Sequence, residues 1–484
     1  MAVSGVILNH RKSFSGIDVS RNCLPCDYLY RNWNYGFFKG SLYISPDTVL
    51  LYGNEGIWLS DVENSKISEF NNGIKKGADN RKICRTVSFG GKYYSAALFD
   101  LYSFNTESKR WEQVILPENI DRITDMEVKG DTLLVMTRSE ILLKVAGRDF
   151  KVIEPQSSPD LHTQKSLFSI LWKLHSGELF GLAGKIIVDI LAILFTFLSI
   201  TGILIYILPK IIKKRKKKKL PAKVYIANMK FSWKWHEKLG FWLILPLLIV
   251  VISGAFLRPP LLITIIRSKV EAPPMSTMRT DNQWHDILRT IRYDTQKQEW
   301  ILYTSEGFFS MPELDKTPVK LRYQPPVSVM GLNVLEQIDS ETWIVGSFNG
   351  LIIWNRLTGE SIDGFTGLPF QMISRMPFGQ HKISGISLSF NDKVIAFTYD
   401  DGAHVFENKG FLPMSVEYTS RPMSLWNLAL EMHTGRIFTF MGMYNILFPF
   451  IVGLFSFLIL LSGWWVSLRR RIKKKNILLK NGKT

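Results

Sequence analysis

Cysteine is scarce, with three in 484 residues. That count excludes a disulfide-built fold. Cys23 and Cys26 form a C-x-x-C pair, but Asp27 stands where covalent c-type haem attachment needs histidine. One pair without a second also makes a poor zinc site. What is left for the pair is a disulfide, between Cys23 and Cys26 or from one of them to Cys84, with a redox role as the alternative. Nucleotide and hydrolase signatures are missing too. No Walker motif, dinucleotide fingerprint, HExxH or GxSxG occurs, so nothing points to a nicotinamide or flavin site. Acid is missing from two stretches. Lys210–Lys234 holds 11 Lys/Arg and no acid, and Arg469–Thr484 holds 8 and no acid. Together these exceed the net charge of +18, so the rest of the chain is close to neutral. Both stretches abut apolar runs. The basic charge therefore follows the positive-inside pattern of membrane proteins, and no nucleic-acid partner is expected.

Three apolar runs are long enough to span the ~30 Å hydrocarbon core, with membrane lipids as their surroundings. They are Ile186–Leu208, interrupted only by Asp189, then Leu239–Leu257, and Ile437–Leu468, which has no charge at all. KKRKKKK (Lys213–Lys219) lies between the first two runs and RRRIKKK follows the last, which puts both in the cytoplasm. Residues 11–165 and 260–425 of this multi-pass protein then lie outside, in a bacterial periplasm, with the spans in the inner membrane, if the source is Gram-negative. SGVIL (Ser4–Leu8) matches SGAFL (Ser253–Leu257). Residues 1–10 thus read as the outer end of a truncated first span, since about nine apolar residues cannot cross a bilayer. The expected organisation is 1–10, end of the first span; 11–165, first periplasmic β segment; 166–209, histidine motif and second span; 210–234, basic cytoplasmic loop; 235–258, third span; 259–423, second β segment; 424–468, second histidine motif and fourth span; 469–484, basic tail.

The two halves repeat each other. SLFSILWKLHSG (Ser166–Gly177) aligns without a gap with SLWNLALEMHTG (Ser424–Gly435), and Gly184 and Gly442 follow the two histidines at one offset. In the β segments, Leu50–Asp61 matches Ile301–Pro312, Leu98–Trp111 resembles Ser347–Glu360, and Asp131–Val145 resembles Asp392–Phe406. Three strand–turn–strand units per half suggest propeller blades. The expected fold class is an α-helical transmembrane bundle, tandem-duplicated, with three full spans and the end of a truncated first span. It carries two extracytoplasmic all-β segments, which form either a joint six-bladed β-propeller without long open edges or two separate small domains.

Eight histidines are present. His162, His285, His381 and His404 fall in the β segments without ligand spacing. His175 and His433 occupy the repeated motif, His236 opens the third span, and His10 ends the first. Ionisable residues at membrane segments are functional candidates, and imidazole is the usual ligand of membrane-bound b-type haem. The haem-iron candidates are thus His175 and His433, with His236 and His10 as further cofactor-binding candidates; the bland reading is interfacial anchoring. Glycines beside His175 and His433 would let a flat macrocycle approach. Asp189 lies 14 residues after His175, which on a continuous helix is the same face. His433 lies 36 residues before Arg469. A straight helix would put it ~54 Å from the inner cluster, so either the helix breaks near Gly435, Gly442 or Pro449 or it projects into the outside domain, with any haem at the outer face.

The ordered set of WHxxLG (Trp235, His236, Leu239, Gly240), SGxxL (Ser253, Gly254), LHSG (Leu174–Gly177) and MHTG (Met432–Gly435) resembles the PepSY-associated transmembrane family. The resemblance covers the membrane part of the chain. It departs from the pattern in carrying propeller-like inserts where PepSY-type domains are common. The resemblance implies an inner-membrane ferric-siderophore reductase: haem b as cofactor, a periplasmic ferric chelate as substrate, an electron donor the sequence does not name, and iron released as Fe(II). The competing function is a non-enzymatic, membrane-anchored β-propeller sensor or scaffold. A coupled transporter is disfavoured, because the two repeats share one orientation and one intramembrane acid is visible.

Overall fold

The computed structural model describes the chain except for residues 62–65, 119, 162–163, 372–378, 391–392, 407–410 and 482–484, and side chains up to Lys473. His162 lies outside the described residues. The chain divides into two compact units: Met1–Arg11, Thr163–Arg279 and Trp426–Thr484 form the first, and Lys12–His162 with Thr280–Leu425 the second.

The first unit is helical. Its longer helices are α1 (Ala2–Asn9), α2 (Leu167–Ser176), α3 (Gly181–Lys217), α4 (Lys223–Trp242), α5 (Ile244–Ala255), α6 (Leu425–His433) and α7 (Phe448–Asn481), with a short one at Leu261–Ile265. Two stretches are long and apolar enough to cross a membrane, Glu178–Lys217 and Thr439–Lys473. The run Leu239–Leu257, read above as one span, is broken: α4 and α5 meet at 69°. Pro246 explains the break. It lacks the N–H that would bond the Trp242 carbonyl, and its ring crowds that carbonyl, so the helix stops at Trp242 and restarts at Ile244. Of the two alternatives for the last span, the break is the one present. Gly435 and Gly442 take left-handed φ of 74° and 54°, a 3₁₀ segment covers Thr439–Leu447, and Pro449 sits in the first turn of α7, where proline is tolerated.

The second unit holds six consecutive antiparallel sheets, each a simple meander, five of four strands and the last of three among the described residues. Their first strands are β1 (Gly40–Ser45), β2 (Ile83–Phe89), β3 (Ile123–Lys129), β4 (Leu288–Asp294), β5 (Leu332–Gln337) and β6 (Ile383–Phe390). Each first strand packs against the next, and β6 packs against β1. The three repeat pairs read from the sequence fall on corresponding later strands of sheets one and four, two and five, and three and six. Between sheets, apolar faces interdigitate around fully buried Trp33, Trp58, Trp111, Trp284, Trp343 and Trp354. Burying one such ring is worth roughly 1.5–3 kcal/mol, so these tryptophans set much of the unit's stability. Strand Asp18–Val19 pairs antiparallel with Met423–Ser424, tying the two ends of the unit together.

Where β2, β3, β4 and β5 adjoin, the interior is ionic. Arg292 reaches Asp125 at 2.6 Å, Glu336 at 3.4 Å and Glu127 at 3.5 Å. Arg85 reaches Glu127 at 3.8 Å and pairs with Glu336. Burial would raise the Glu336 carboxyl, but Arg85 and Arg292 outweigh it and hold it below its ordinary value; burial wins at Glu127 and pushes it up. Opposite them, Ser387 Oγ donates to Ser41 Oγ at 2.6 Å, joining β6 to β1 through hydroxyls.

All three cysteines are free thiols. Leu24 (ψ 163°) and Pro25 (ψ 146°) are extended between the single 3₁₀ turns that hold Cys23 and Cys26. Two extended residues separate the cysteine Cα atoms by roughly 10 Å, beyond the ~7 Å a disulfide tolerates, so the local bridge read from the spacing does not form. Cys84 sits on β2 with its Sγ donating to Ala96 O at 3.1 Å, and burial pushes its thiol up to about 12. Maleimide treatment of the reduced, folded protein at neutral pH is therefore expected to modify Cys23 and Cys26 quickly and Cys84 only after unfolding. Mass mapping that finds Cys84 modified at the same rate would contradict the burial argument.

Candidate functional site: three seated histidines

The helical unit receives imidazoles in one repeated way. His175 is in the last turn of α2, which Gly177 ends in the left-handed conformation at φ 80°. Its Nδ1 lies 2.9 Å from Val250 O on α5. Ser253 Oγ donates to Ile249 O at 2.7 Å and shares its proton with the Val250 carbonyl at 3.1 Å. The ring lies against Gly254, where an added Cβ would stand 2.6 Å from Cε1 and 2.8 Å from Nδ1. His433 ends α6, and its Nδ1 lies 3.1 Å from Met1 O. Ser4 Oγ donates to Met1 O at 2.8 Å and is 3.1 Å from His433 Nδ1, and Gly5 faces Cε1 at 3.7 Å. His236 on α4 has Nδ1 3.1 Å from Leu198 O on α3. Thr201 Oγ1 donates to Leu198 O at 3.0 Å, and Gly202 meets the ring at 3.2 Å.

The three seats share one spacing: a carbonyl, a hydroxyl three residues later, and a glycine next to it. They are Met1–Ser4–Gly5, Leu198–Thr201–Gly202 and Val250–Ser253–Gly254. Helix geometry explains it. Positions three and four ahead share the face of the carbonyl, the hydroxyl bonds back to that carbonyl, and glycine clears the area an imidazole then covers. A carbonyl oxygen can only accept, so Nδ1 of His175 carries the proton toward Val250 O. The carbonyl contact favours the same tautomer at His433 and His236, where Ser4 Oγ at 3.1 Å and Thr201 Oγ1 at 3.0 Å also adjoin Nδ1. The neutral ring then presents the Nε2 lone pair, and no hydrogen bond occupies Nε2 of His175, His433 or His236 among the described residues. An imidazole fixed through Nδ1–H to a carbonyl is the arrangement of a metal-ligating histidine. A fourth pair, Ser462–Gly463, bonds Ile459 O at 3.0 Å in the same manner, and a Cβ on Gly463 would meet nothing within 4 Å.

His175 and His433 come together, with ring centroids 6.0 Å apart and planes at 64°. A ring centre stands ~3 Å from a metal its nitrogen ligates at ~2.0–2.1 Å, so two rings on one metal are roughly 6 Å apart. The donor set, two neutral imidazoles with free Nε2, fits the axial demands of haem iron. It does not fit a metal that needs a protein cage: among the described residues no group of three or more His, Cys, Asp or Glu is placed to hold one.

His10 stands apart. Its Nε2 is 2.6 Å from Asp189 Oδ2, and Asn9 Nδ2 donates at 3.0 Å both to Asp189 Oδ1 and to Ser176 O. The shared-face relation between Asp189 and His175 does not hold, because the helix ends at Gly177 and restarts at Gly181. Asp189 is instead satisfied inside an apolar run by His10 and Asn9. The motif glycines also act differently from expectation. A Cβ on Gly177 would stand 2.2 Å from Gly184 O, and one on Gly184 2.1 Å from Gly177 O, while Phe448 fills the space beside Gly435. They close the chain reversal after each histidine and leave no room for a macrocycle. The glycines that face the imidazoles are Gly5, Gly202 and Gly254. The sequence carried a signal for two of these, the SGVIL/SGAFL match, which registers the repeat without revealing what the dipeptide touches. In the second unit, His285 Nδ1 lies 3.2 Å from Ser139 Oγ, and the rings of His381 and His404 lie 5.9 Å apart beside Phe365.

Solved structures offer only distant likenesses. The extracellular domain of a one-component system of B. thetaiotaomicron aligns at 12% identity and TM-score 0.38, covering 79% of this chain and 34% of that one. This chain thus spans about a third of that relative's length. The N-terminal domain of Nup159 aligns at 8% identity and TM-score 0.31, covering 75% of this chain and 74% of that one. The computationally designed Ika8 protein aligns at 9% and 0.33, covering 78% and 98%. No curated protein matches the chain. The profile of the PepSY-associated TM region matches residues 144–470, about two-thirds of the sequence, from the third sheet through the last span. The chain belongs to the PepSY-associated TM family.

Proposed function

We propose that the chain is an inner-membrane, haem-dependent reductase that delivers electrons to a ferric chelate outside the membrane. The observation that carries this reading is the pair of imidazoles at 6.0 Å, each with Nδ1 on a carbonyl and Nε2 free. Family membership supports it by resemblance. In this reading α4 and α5 together make a third span, and residues 210–234 and 469–484 face the cytoplasm by the positive-inside rule. The six sheets form a six-bladed propeller in the periplasm, supported by the circular order of first-strand contacts. His175 and His433 would together hold the iron of one haem b. His236, seated by the same device on α3, is the candidate ligand of another, and His10 holds Asp189.

Haem, when bound, supplies one-electron chemistry between a donor, quinol or cytoplasmic reductant, and Fe(III), each electron converting one chelated Fe(III) to Fe(II). The chain's own residues do the rest. The Val250 carbonyl fixes the Nδ1–H tautomer of His175, the Met1 carbonyl favours it at His433, and both raise the basicity of the ring. Neutral imidazole adds no charge to the apolar helix ends. His10 and Asp189 hold a proton beside the helix end that carries Ser176.

Protein solubilised in detergent from haem-replete cells is expected to show a Soret band and split visible bands on dithionite reduction. His175→Ala and His433→Ala should each bleach or shift that spectrum. A colourless preparation would remove the reductase reading and leave the anchored scaffold. Unchanged spectra in both variants would move the ligands elsewhere.

A further inference from the structure

We infer that a groove between α3 and α4, at the basic end of α3, binds an anionic glycerophospholipid. Its volume is about 440 Å³, and it is lined by Pro209, Ile212, Lys213, Lys216, Ile226 and Met229. The four α3 residues follow the spacing i, i+3, i+4, i+7, so they form one helix face, and Ile226 and Met229 sit one turn apart on α4. The face grades from apolar to cationic along the helix, as a lipid does from acyl chain to headgroup. Ile212 lies in the apolar cluster of Leu208 and Ala222, while Lys213 and Lys216 line the groove and are exposed.

Two basic neighbours are engaged within the chain. Lys210 lies over the Tyr206 ring at 4.0 Å. Arg215 donates to Pro221 O at 2.9 Å and lies over Tyr225 at 4.9 Å. Lys213 and Lys216, like Lys214, Lys217 and Lys218, have no side-chain hydrogen bond, ion pair or ring contact among the described residues, and no acid occurs from Lys210 to Lys234 to neutralise them. What sets Lys213 and Lys216 apart is that they line the groove. Two uncompensated ammonium groups over an apolar groove complement a phosphodiester with an attached chain. The volume is in the range of small-ligand pockets.

The test uses the full-length protein in detergent, with bound lipid read by native mass spectrometry during titration with phosphatidylglycerol or phosphatidylcholine. Wild type should retain phosphatidylglycerol over phosphatidylcholine. Lys213→Gln/Lys216→Gln should weaken phosphatidylglycerol retention roughly 30-fold at low salt. Lys217→Gln/Lys218→Gln, which removes the same charge outside the groove, should leave it within about twofold. Equal loss in both double variants would reduce the effect to bulk surface charge and overturn the site. No preference for phosphatidylglycerol would overturn it as well. Soluble glycerol phosphate competing as well as the lipid would show a free-phosphate site, contrary to the inference.

Discussion

Replacing Gly254 with alanine is expected to unseat His175 and, if the proposed haem is held there, to strip it from the His175–His433 pair. A Cβ at this position would stand 2.6 Å from the imidazole Cε1 and 2.8 Å from Nδ1, closer than carbon and ring atoms can approach. Helix α5 is continuous from Ile244 to Ala255, so its backbone cannot retreat without losing ladder bonds. The ring must therefore leave Val250 O. That loss costs ~0.5–1.5 kcal/mol as a hydrogen bond, and releasing an oriented ligand weakens metal binding by roughly 10–100-fold. The seats supply their own graded series. Gly202 meets His236 at 3.2 Å, Gly5 meets His433 at 3.7 Å, and Gly463 meets nothing within 4 Å. Haem retained per polypeptide, read from the reduced spectrum, should fall most for Gly254→Ala, less for Gly202→Ala, little for Gly5→Ala and not at all for Gly463→Ala. The last variant should also be slightly more stable, since alanine is favoured over glycine in a helix by ~1 kcal/mol. Equal retention across the series would mean the imidazoles do not depend on these glycines.

The second large effect lies in the sheets. Arg356→Met is expected to cost ~3–5 kcal/mol, because it leaves a carboxylate buried without its cation. Arg356 is 3% exposed and pairs with Asp294, 1% exposed, and with Glu299. Asp294 also accepts from the backbone N–H of Gln296 and of Lys297, each at 3.0 Å, and from Gln337 Nε2 at 3.2 Å. The two backbone bonds cap the turn after β4 and the third ties it to the end of β5, but none of them cancels a full charge. The variant should lower the melting temperature of the tryptophan-rich unit by about 10 °C. Asp294→Asn combined with Arg356→Met should recover most of that drop, since the stranded charge is removed. Arg421→Met breaks an ion pair to Glu69 that is 42% exposed on the acid side and should cost less than ~1 kcal/mol. Drops of equal size in the two single variants, followed by tryptophan fluorescence on the solubilised chain, would refute the burial argument.

Much of the architecture was legible in the residues. The basic clusters, the three apolar runs and the repeated histidine motif gave the membrane character and the family. The paired strand windows gave three sheets per half. That the last span either breaks or projects outward followed from counting 36 residues between His433 and Arg469. The site was legible only in part. His175, His433 and His236 stood out as ionisable groups at apolar segments. The proper role of their surroundings did not, because a glycine's function depends on which neighbour approaches it. Gly177 and Gly435 adjoin the histidines in sequence yet make turns, whereas Gly254 is 79 positions from His175 and seats it.

The same division runs through the rest of the molecule. Hydrophobic length, charge placement and strand periodicity act over a few neighbouring residues, so the sequence by itself determined which segments are apolar helices, which are strands, and where the cations collect. Contacts between segments act across hundreds of residues. Only the tertiary structure decided that Asp189 meets His10 and Asn9, that Pro246 breaks the run holding Gly254, and that two histidines 258 residues apart face each other at 6.0 Å. The physical reason is that an imidazole's usable nitrogen is set by the carbonyl its other nitrogen finds, and that carbonyl belongs to a different helix.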